Sequence, residues 1–275
     1  MIDILLATYN GEKYIGQQID SIRCQTYGDW QLLIHDDGSS DNTISIVKEL
    51  SLKDSRIRLI EDGVVHLGVA KNFIHLLQYS TSPFVMFCDQ DDVWLPNKIE
   101  LTLSKMKTEE DIKMRPILVH TDMQVVDSSL QVIASSFWKQ MRLLPQYNSY
   151  YDLLACHNAN GCTILLNGMA KQEILRNPST APMHDIWAAL AVAAHKDGLV
   201  TYIEDCTMLY RQHENNVVGS HNTSVFTLMK KIVHLRTIML HIWNSPRRYS
   251  MLRPTSRLCY LLHKIKIVLM RLLNY

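Results

Sequence analysis

The stretch "FCDQDDVW", residues 87–94, follows directly on the apolar run Phe84-Val85-Met86-Phe87 and ends it in three carboxylates, Asp89, Asp91 and Asp92, within four positions. A short, wholly apolar run bounded by polar residues is the mark of a strand buried on both faces, and such strands belong to sheets covered by helices. Carboxylates this close repel one another, so the end of this strand needs a compensating charge.

Working outward, the same kind of run recurs at Ile2–Ala7, Gln31–Ile34 and Ile57–Ile60. Between these runs apolar residues return at helical spacing: Tyr14/Ile15/Gln18/Ile19/Ile22, then Ile44/Val47/Leu50, then Phe73/Ile74/Leu77. Residues 2–87 therefore read β-α-β-α-β-α-β, an α/β fold with a mostly parallel, Rossmann-like sheet flanked by helices. Ligands of such sheets sit at the carboxyl ends of the strands, where the acidic cluster lies. Beyond it, Pro96 suits a helix start, and Ile99, Leu103 and Met106 continue an apolar stripe. Residues 117–125 and 162–166 are expected as strands, Asp185–His195 as a helix and Leu199–Ile203 as a last strand.

With 275 residues, 47% of them hydrophobic, the chain can bury the core of one large α/β domain with an appendage, which excludes general disorder. Cys24, Cys88, Cys156, Cys162, Cys206 and Cys259 form no C-x-x-C pair, and the N-terminus enters a strand-like run instead of a signal core. A reduced, cytosolic compartment is the expectation. The net charge of +1 hides an asymmetry: residues 222–275 hold ten Lys/Arg and no Asp/Glu, leaving eighteen bases against twenty-seven acids in residues 1–221. No nucleic-acid partner is expected.

That tail carries two apolar stripes at helical spacing, Val225/Leu228/Met229/Ile232/Met239/Trp243 and Leu258/Leu261/Leu262/Ile265/Val268/Leu269/Leu272, with Lys230, Lys231, Lys264, Lys266 and Arg271 interspersed. Neither stripe reaches about 20 uncharged apolar residues, so a spanning helix is not expected. A basic amphipathic pair on an anionic membrane surface is favoured, because every charge in the segment is positive. The alternative is a helical cap on the domain or a homodimer contact.

Four further stretches carry chemistry. In "IHDDGSSDNT", residues 34–43, Asp36 and Asp37 emerge at a strand end, Gly38 permits a tight turn and Asp41 suits a helix N-cap, although D-D-G-S alone is ordinary turn chemistry. Its companion "ATYNGEKYI", residues 7–15, offers Thr8, Tyr9 and Asn10 as polar and stacking contacts to a base or sugar. Asp89 and Asp91 are one residue apart, so extended backbone points both carboxylates to one side, a spacing that suits one hard cation, Mg²⁺ or Mn²⁺, and implies a diphosphate ligand. In "PMHDIW", residues 182–187, Asp185 is an N-cap or a general base. In "YRQHENN", residues 210–216, Arg211 suits a phosphate and His213 a metal. Cys156, His157 and Cys162 lack a fourth ligand at a zinc-like spacing and read as core and loop residues, whereas Trp94 is placed to wall a sugar pocket.

Taken in order, "ATYNGEKYI", "IHDDGSSDNT", "LGVAKNF", "FCDQDDVW", "NGCTILLN", "HDIW" and "YRQHENNVVG" resemble the inverting family-two glycosyltransferases of GT-A fold, and among them the bacterial rhamnosyltransferase-like branch. The resemblance covers about residues 2–219 and implies roles by position. Thr8, Tyr9, Asn10, Asp36 and Asp37 would bind the nucleotide, with Asp36 on the base, and Lys71 and Asn72 would lie near ribose or diphosphate. Asp91, helped by Asp89 and completed by His213, would hold the metal. Asp185 would be the base, while Asp92, Trp94, Gly161 and His184 would shape the sugar and acceptor side.

Two departures matter. The base motif usually reads Glu-Asp, whereas His184 precedes Asp185 here. The Q-x-x-R-W signature of processive synthases is missing, which argues for transfer of a single sugar. The resemblance thus implies a metal-dependent, inverting transfer of one sugar, L-rhamnose from dTDP-L-rhamnose, onto a lipid-linked oligosaccharide in O-antigen or capsule assembly at the inner face of the cytoplasmic membrane. A UDP-sugar donor carrying a glucosyl, galactosyl or hexosaminyl group is the alternative within the family. A Mg²⁺-dependent nucleotidyltransferase or phosphohydrolase, and a non-catalytic nucleotide-sugar sensor, are the alternatives outside it. The expected organisation is a catalytic domain over 1–221, with a donor half at 1–115 and an acceptor half at 116–221, followed by the tail at 222–275.

Overall fold

The computed structural model describes residues 1–176, 183–214, 249 and 252–273. Its first half follows the expected alternation: β1 (Ile2–Thr8), α1 (Ile15–Arg23), β2 (Trp30–Asp36), α2 (Thr43–Lys53), β3 (Ile57–Leu59), α3 (Val69–Tyr79) and β4 (Phe84–Cys88). The chain continues through β5 (Val93–Trp94), α4 (Lys98–Ile112), β6 (Ile117–Val126), β7 (Val132–Ala134), α5 (Phe137–Met141) and α6 (Tyr150–Ala155). β8 (Leu165–Asn167), α7 (Gly168–Arg176), α8 (His184–Ala194), β9 (Leu199–Arg211) and α9 (Arg257–Leu273) complete the described elements.

The sheet runs in the order β3-β2-β1-β4-β8-β6-β9-β5, with β7 added beside β6. β3, β2, β1 and β4 are mutually parallel, whereas β8 pairs antiparallel with both β4 and β6. Side chains alternate across it. Ile4, Leu32 and Met86 enter one core, while Leu5, Leu33 and Phe87 enter the other with Trp187 of α8. Both faces are covered, which is why these strands read as unbroken apolar runs. Asp3 interrupts the first run without exposing it, since its carboxylate accepts from Thr81 N, Ser82 N and the Ser82 hydroxyl.

The second half departs from expectation at two strands. Gly161–Thr163 forms a turn of 3₁₀ helix, so the strand expected from 162 starts at Leu165. β9, expected to stop at Ile203, runs on to Arg211, past an exposed Glu204–Asp205 pair that conceals it in the sequence. Register shifts against β6 around Asp122 accommodate this polar stretch, after which β9 pairs with β5 and delivers residues 210–214 to the acidic cluster.

Of the tail, the stripe from Val225 to Trp243 lies outside the described residues. The second stripe forms α9, which packs on α6 with Tyr260 and Ile267 buried. Its bases are turned toward the domain: Lys264 donates to Ala155 O, Lys266 meets Asp152 at 3.3 Å and Arg271 donates to Met141 O. Leu258, Leu262, Ile265, Leu269 and Leu272 are exposed instead. With Lys264 and Arg271 drawn back to the domain, Lys266 half-exposed and the leucine face outward, the arrangement differs from that expected for a helix holding anionic lipid through its lysines. Among the described residues no helix is long and apolar enough to cross a membrane.

Candidate active site

The carboxyl ends of β1, β2 and β4 open onto a cleft of about 1060 Å³, closed on the far side by residues 160–162, 183–185, 210 and 212–214. Thr8, Tyr9 and Asn10 line it after β1, Asp37 after β2, and Asp89 and Asp91 after β4. Gln90 ties these loops together: its Oε1 accepts from the Thr8 hydroxyl at 2.6 Å and Tyr9 N at 2.9 Å, and its Nε2 donates to Tyr9 O. Asn10 takes a left-handed φ of 47° and braces the next loop through Ser40 N. Asn72 reaches the cleft from α3, with its Oδ1 2.7 Å from His35 Nδ1.

Of the aspartate pair, Asp37 faces the cleft and Asp36 does not. Asp36 closes its own turn, accepting from Gly38 N, Ser39 N and the Ser39 hydroxyl, and stands outside the cleft lining. Asp37 accepts from Leu67 N and Gly68 N, holding the segment before α3 against β2.

The three carboxylates of the opening stretch separate into three environments. Asp91 Oδ2 lies 2.8 Å from His213 Nε2, whose ring stacks on Tyr14 at 4.9 Å. Asp89 lines the cleft; burial, with the Asp91 and Asp185 charges, pushes it up to about 7. Asp92 is fully buried, and burial together with the Asp91 and Asp89 charges raises it well above the carboxylate range. Its Oδ1 accepts from Arg211 N. Lys98, also fully buried, donates to Cys162 O and supplies positive charge beneath the cluster; burial lowers it to about 8.

Asp185 opens α8 on the opposite wall. Its Oδ1 accepts from Ile186 N at 2.7 Å, its Oδ2 from Gly161 N at 3.2 Å, and His157 Nε2 stands 3.5 Å from Oδ2, a charge contact more than a formed hydrogen bond. Burial alone would raise this carboxyl, but the attraction of His157 and His184 and the Ile186 N–H outweigh it and hold Asp185 well below its ordinary value. His184 is wedged against Phe73 at 3.9 Å and edge-on to Phe87, and burial pushes it down to about 4, so it packs as a neutral ring. A Cβ on Gly161 would lie 2.4 Å from His184 Nε2, so only glycine lets this turn pass so close.

Four expected contributors lie elsewhere. Arg211 is buried, its guanidinium committed to Asp91 O, Ser128 O and Gln17 Oε1 and set over Tyr14, so it braces the cluster from behind instead of facing a phosphate. Asp92 and Trp94 point into the core because β5 is clamped onto β9, and neither walls a sugar pocket. Lys71 is exposed on α3 outside the cleft. Conversely, Gln90, Tyr14, His66 and His157 belong to the site unannounced. Gln90 was signalled only by its place inside the acidic stretch, and His157 by nothing but its loop.

The divalent cation implied by the resemblance fits this donor set. Asp89 and Asp91 line the cleft together with the His213 imidazole, whose Nε2 lies 2.8 Å from Asp91 Oδ2, and carboxylate and imidazole are hard and borderline donors. Asp89, Asp92 and Cys162 also cluster, but Asp92 is fully buried outside the cleft lining, with its Oδ1 taken by Arg211 N.

Fold and cleft together define a transferase of the GT-A type. The family model for glycosyl transferase family 2 matches residues 3–171, and this chain belongs to that family. It is 30% identical over 226 residues to the dTDP-rhamnosyl transferase RfbG of Shigella flexneri, covering 78% of this chain and 74% of that protein. It is 41% identical over 106 residues to the Escherichia coli UDP-Glc:alpha-D-GlcNAc-diphosphoundecaprenol beta-1,3-glucosyltransferase WfgD, a match spanning 38% of this chain and only 41% of that relative. Among solved structures, Staphylococcus aureus TarS 1–349 with UDP-GlcNAc superposes with a TM-score of 0.62 at 13% identity, covering 97% of this chain and 71% of that one. The Pyrobaculum calidifontis mannosyltransferase PcManGT, with GDP-Man and Mn²⁺, gives 0.57 at 13% identity, covering 98% and 74%.

Proposed function

We propose that this chain transfers a single sugar with inversion from a nucleoside diphosphate to a lipid-linked acceptor in surface-polysaccharide assembly, and that the sugar is L-rhamnose from dTDP-L-rhamnose. The observation that carries the reading is one cleft in which an ionised carboxylate, Asp185, faces an acidic, histidine-capped cluster built for a cation and diphosphate. The 30% identity to RfbG along most of both chains supports the donor.

Asp185 is held ionised, so it accepts the acceptor hydroxyl proton while that oxygen attacks the anomeric carbon and the nucleoside diphosphate leaves from the opposite face. Its weak basicity means that proton transfer is driven by formation of the new C–O bond. Gly161 N and His157 fix the carboxylate, and His184 packs behind it without donating a proton. Asp37, Asn72, Thr8, Tyr9 and Asn10 form the nucleotide end. Asp89, Asp91 and His213 would hold a Mg²⁺ or Mn²⁺ ion, which when bound neutralises charge developing on the diphosphate; the Mn²⁺ reported with PcManGT supports this.

Residues 1–115 act as the donor half, 116–221 as the acceptor half, and 222–275 as an appendage resting at the inner face of the cytoplasmic membrane. A second reading, glucosyl transfer from UDP-Glc, is favoured by the 41% identity to WfgD. Mass spectrometry of products from dTDP-L-rhamnose and UDP-glucose, each incubated with lipid-linked acceptors, separates the two. A deoxyhexose increment supports the first, a hexose increment the second, and nucleotide hydrolysis without product rejects both.

A further inference from the structure

Three side chains that this mechanism does not use converge beside the cleft. His35 is near the end of β2, Asp62 follows β3, and His75 lies on α3. His75 Nε2 is 2.6 Å from Asp62 Oδ2 and His35 Nε2 is 3.4 Å from Asp62 Oδ1, while the two rings meet edge to face at 4.8 Å. The ligating atoms all lie within 4.8 Å of one another.

The tautomer of His35 gives this cluster its meaning. Asn72 Nδ2 donates to His35 O, so Asn72 Oδ1 is the atom facing His35 Nδ1 at 2.7 Å, and Nδ1 must carry the hydrogen. A neutral His35, only 1% exposed, would then direct a bare Nε2 lone pair at a carboxylate. Two electron-rich atoms in that arrangement call for a positive charge between them. The surroundings are built for a metal ion: Asn72 fixes His35 through its remote nitrogen, and Tyr79 O–H and Val64 N–H both donate to Asp62. Hydrogen bonds from such supporting groups are what orient metal-binding imidazoles and carboxylates.

We propose that His35, His75 and Asp62 form a zinc-class metal site, separate from the cation site of the cleft, in which two Nε2 atoms and one carboxylate oxygen hold the ion and solvent takes the remaining position. Asp62 and His75 are each about one-fifth exposed, so the ion has an entry path. An imidazole pair with a single carboxylate selects Zn²⁺ or Co²⁺ over Mg²⁺ or Ca²⁺. The ion takes the Nε2 positions, so the hydrogen that His75 directs at Asp62 is lost to solvent or moves to Nδ1. Bound metal ties the segment joining β3 to α3 down onto β2. That segment carries His66 and Gly68 into the cleft.

The test uses the full chain, stripped with chelator, loaded with Zn²⁺ in the presence of excess Mg²⁺ and assayed by elemental analysis, with Co²⁺ as a visible-absorption probe. The wild type is expected to retain one more equivalent of zinc than His75→Gln or Asp62→Asn, and to show an intense tetrahedral Co²⁺ spectrum that both variants lose while their circular dichroism is unchanged. Tyr79→Phe should keep the spectrum but bind at least about tenfold more weakly. Equal zinc retention by wild type and both variants overturns the proposal, as does failure of the wild type to retain zinc, which would assign the positive charge to an imidazolium proton.

Discussion

At the scale of single residues, the proposed base is set by its neighbours. A general base works only when ionised, so activity falls as pH drops through its pKa. Burial raises Asp185 while His157 and His184 pull it lower, and the pull wins. Replacing His157 by Gln removes the strongest pull, leaves burial, and is expected to move the acid limb of kcat/KM to higher pH, with little change at pH 8. A pH–rate profile checks this; an unmoved acid limb would detach His157 from the base. Asp185→Asn is expected to lower kcat by at least about a hundredfold with donor affinity preserved, measured by turnover beside calorimetric titration of the donor. Gly161→Ala tests the opposite wall. Its methyl would fall 2.4 Å from a His184 ring that Phe73 and Phe87 hold in place, and 3.5 Å from Asp185 Cβ. The strain is relieved by displacing the base, so kcat should fall about tenfold or more for a destabilisation of roughly 1–3 kcal/mol, read by kinetics and urea unfolding.

At the scale of elements, β1, β2 and β4 were legible because each is covered on both faces and shows as an apolar run, β3 at the sheet edge showed by the Ile57 and Leu59 that flank its exposed Arg58, and the helices between them repeat at their own period. The acidic stretch was legible as a site because a polar cluster ending a buried strand is costly without a ligand. What could not be read was direction. Arg211, Asp92 and Trp94 have the chemistry of ligand contacts, yet the antiparallel pairing of β5 with β9, a contact between residues more than a hundred positions apart, turns them inward. β9 itself was half hidden because its middle is exposed and acidic. The buried Arg211 then has a measurable consequence. Three of its side-chain hydrogen bonds join β9 to the Asp91 loop, to Ser128 and to α1, so Arg211→Ala removes these ties and leaves a void where a buried side chain stood, and should cost about 2–4 kcal/mol in urea unfolding. Arg211→Lys cannot reproduce the three-way fork and should recover little of it. Unchanged stability with a raised donor KM would return Arg211 to the phosphate.

At the scale of the whole molecule, composition separated the tail from the rest, but net charge alone did not show which way its charges face. Lys264, Lys266 and Arg271 are spent on α6 and its surroundings, and α9 leaves Leu258, Leu262, Ile265, Leu269 and Leu272 exposed. If this appendage meets the bilayer holding the lipid-linked acceptor, α9 does so by apolar insertion, and salt should weaken its share of binding little, because screening acts on charge pairs and not on buried area. Leu262→Gln with Leu269→Gln, two half-exposed side chains removed from the insertion face, is expected to lower partitioning onto anionic vesicles by about tenfold or more, from roughly 1 kcal/mol per side chain, with transfer to a soluble acceptor analogue unchanged. Flotation at low and high salt makes the distinction: partitioning that collapses in salt while ignoring the leucines would place the contact on the bases elsewhere in residues 222–275 and leave α9 as a cap on the domain.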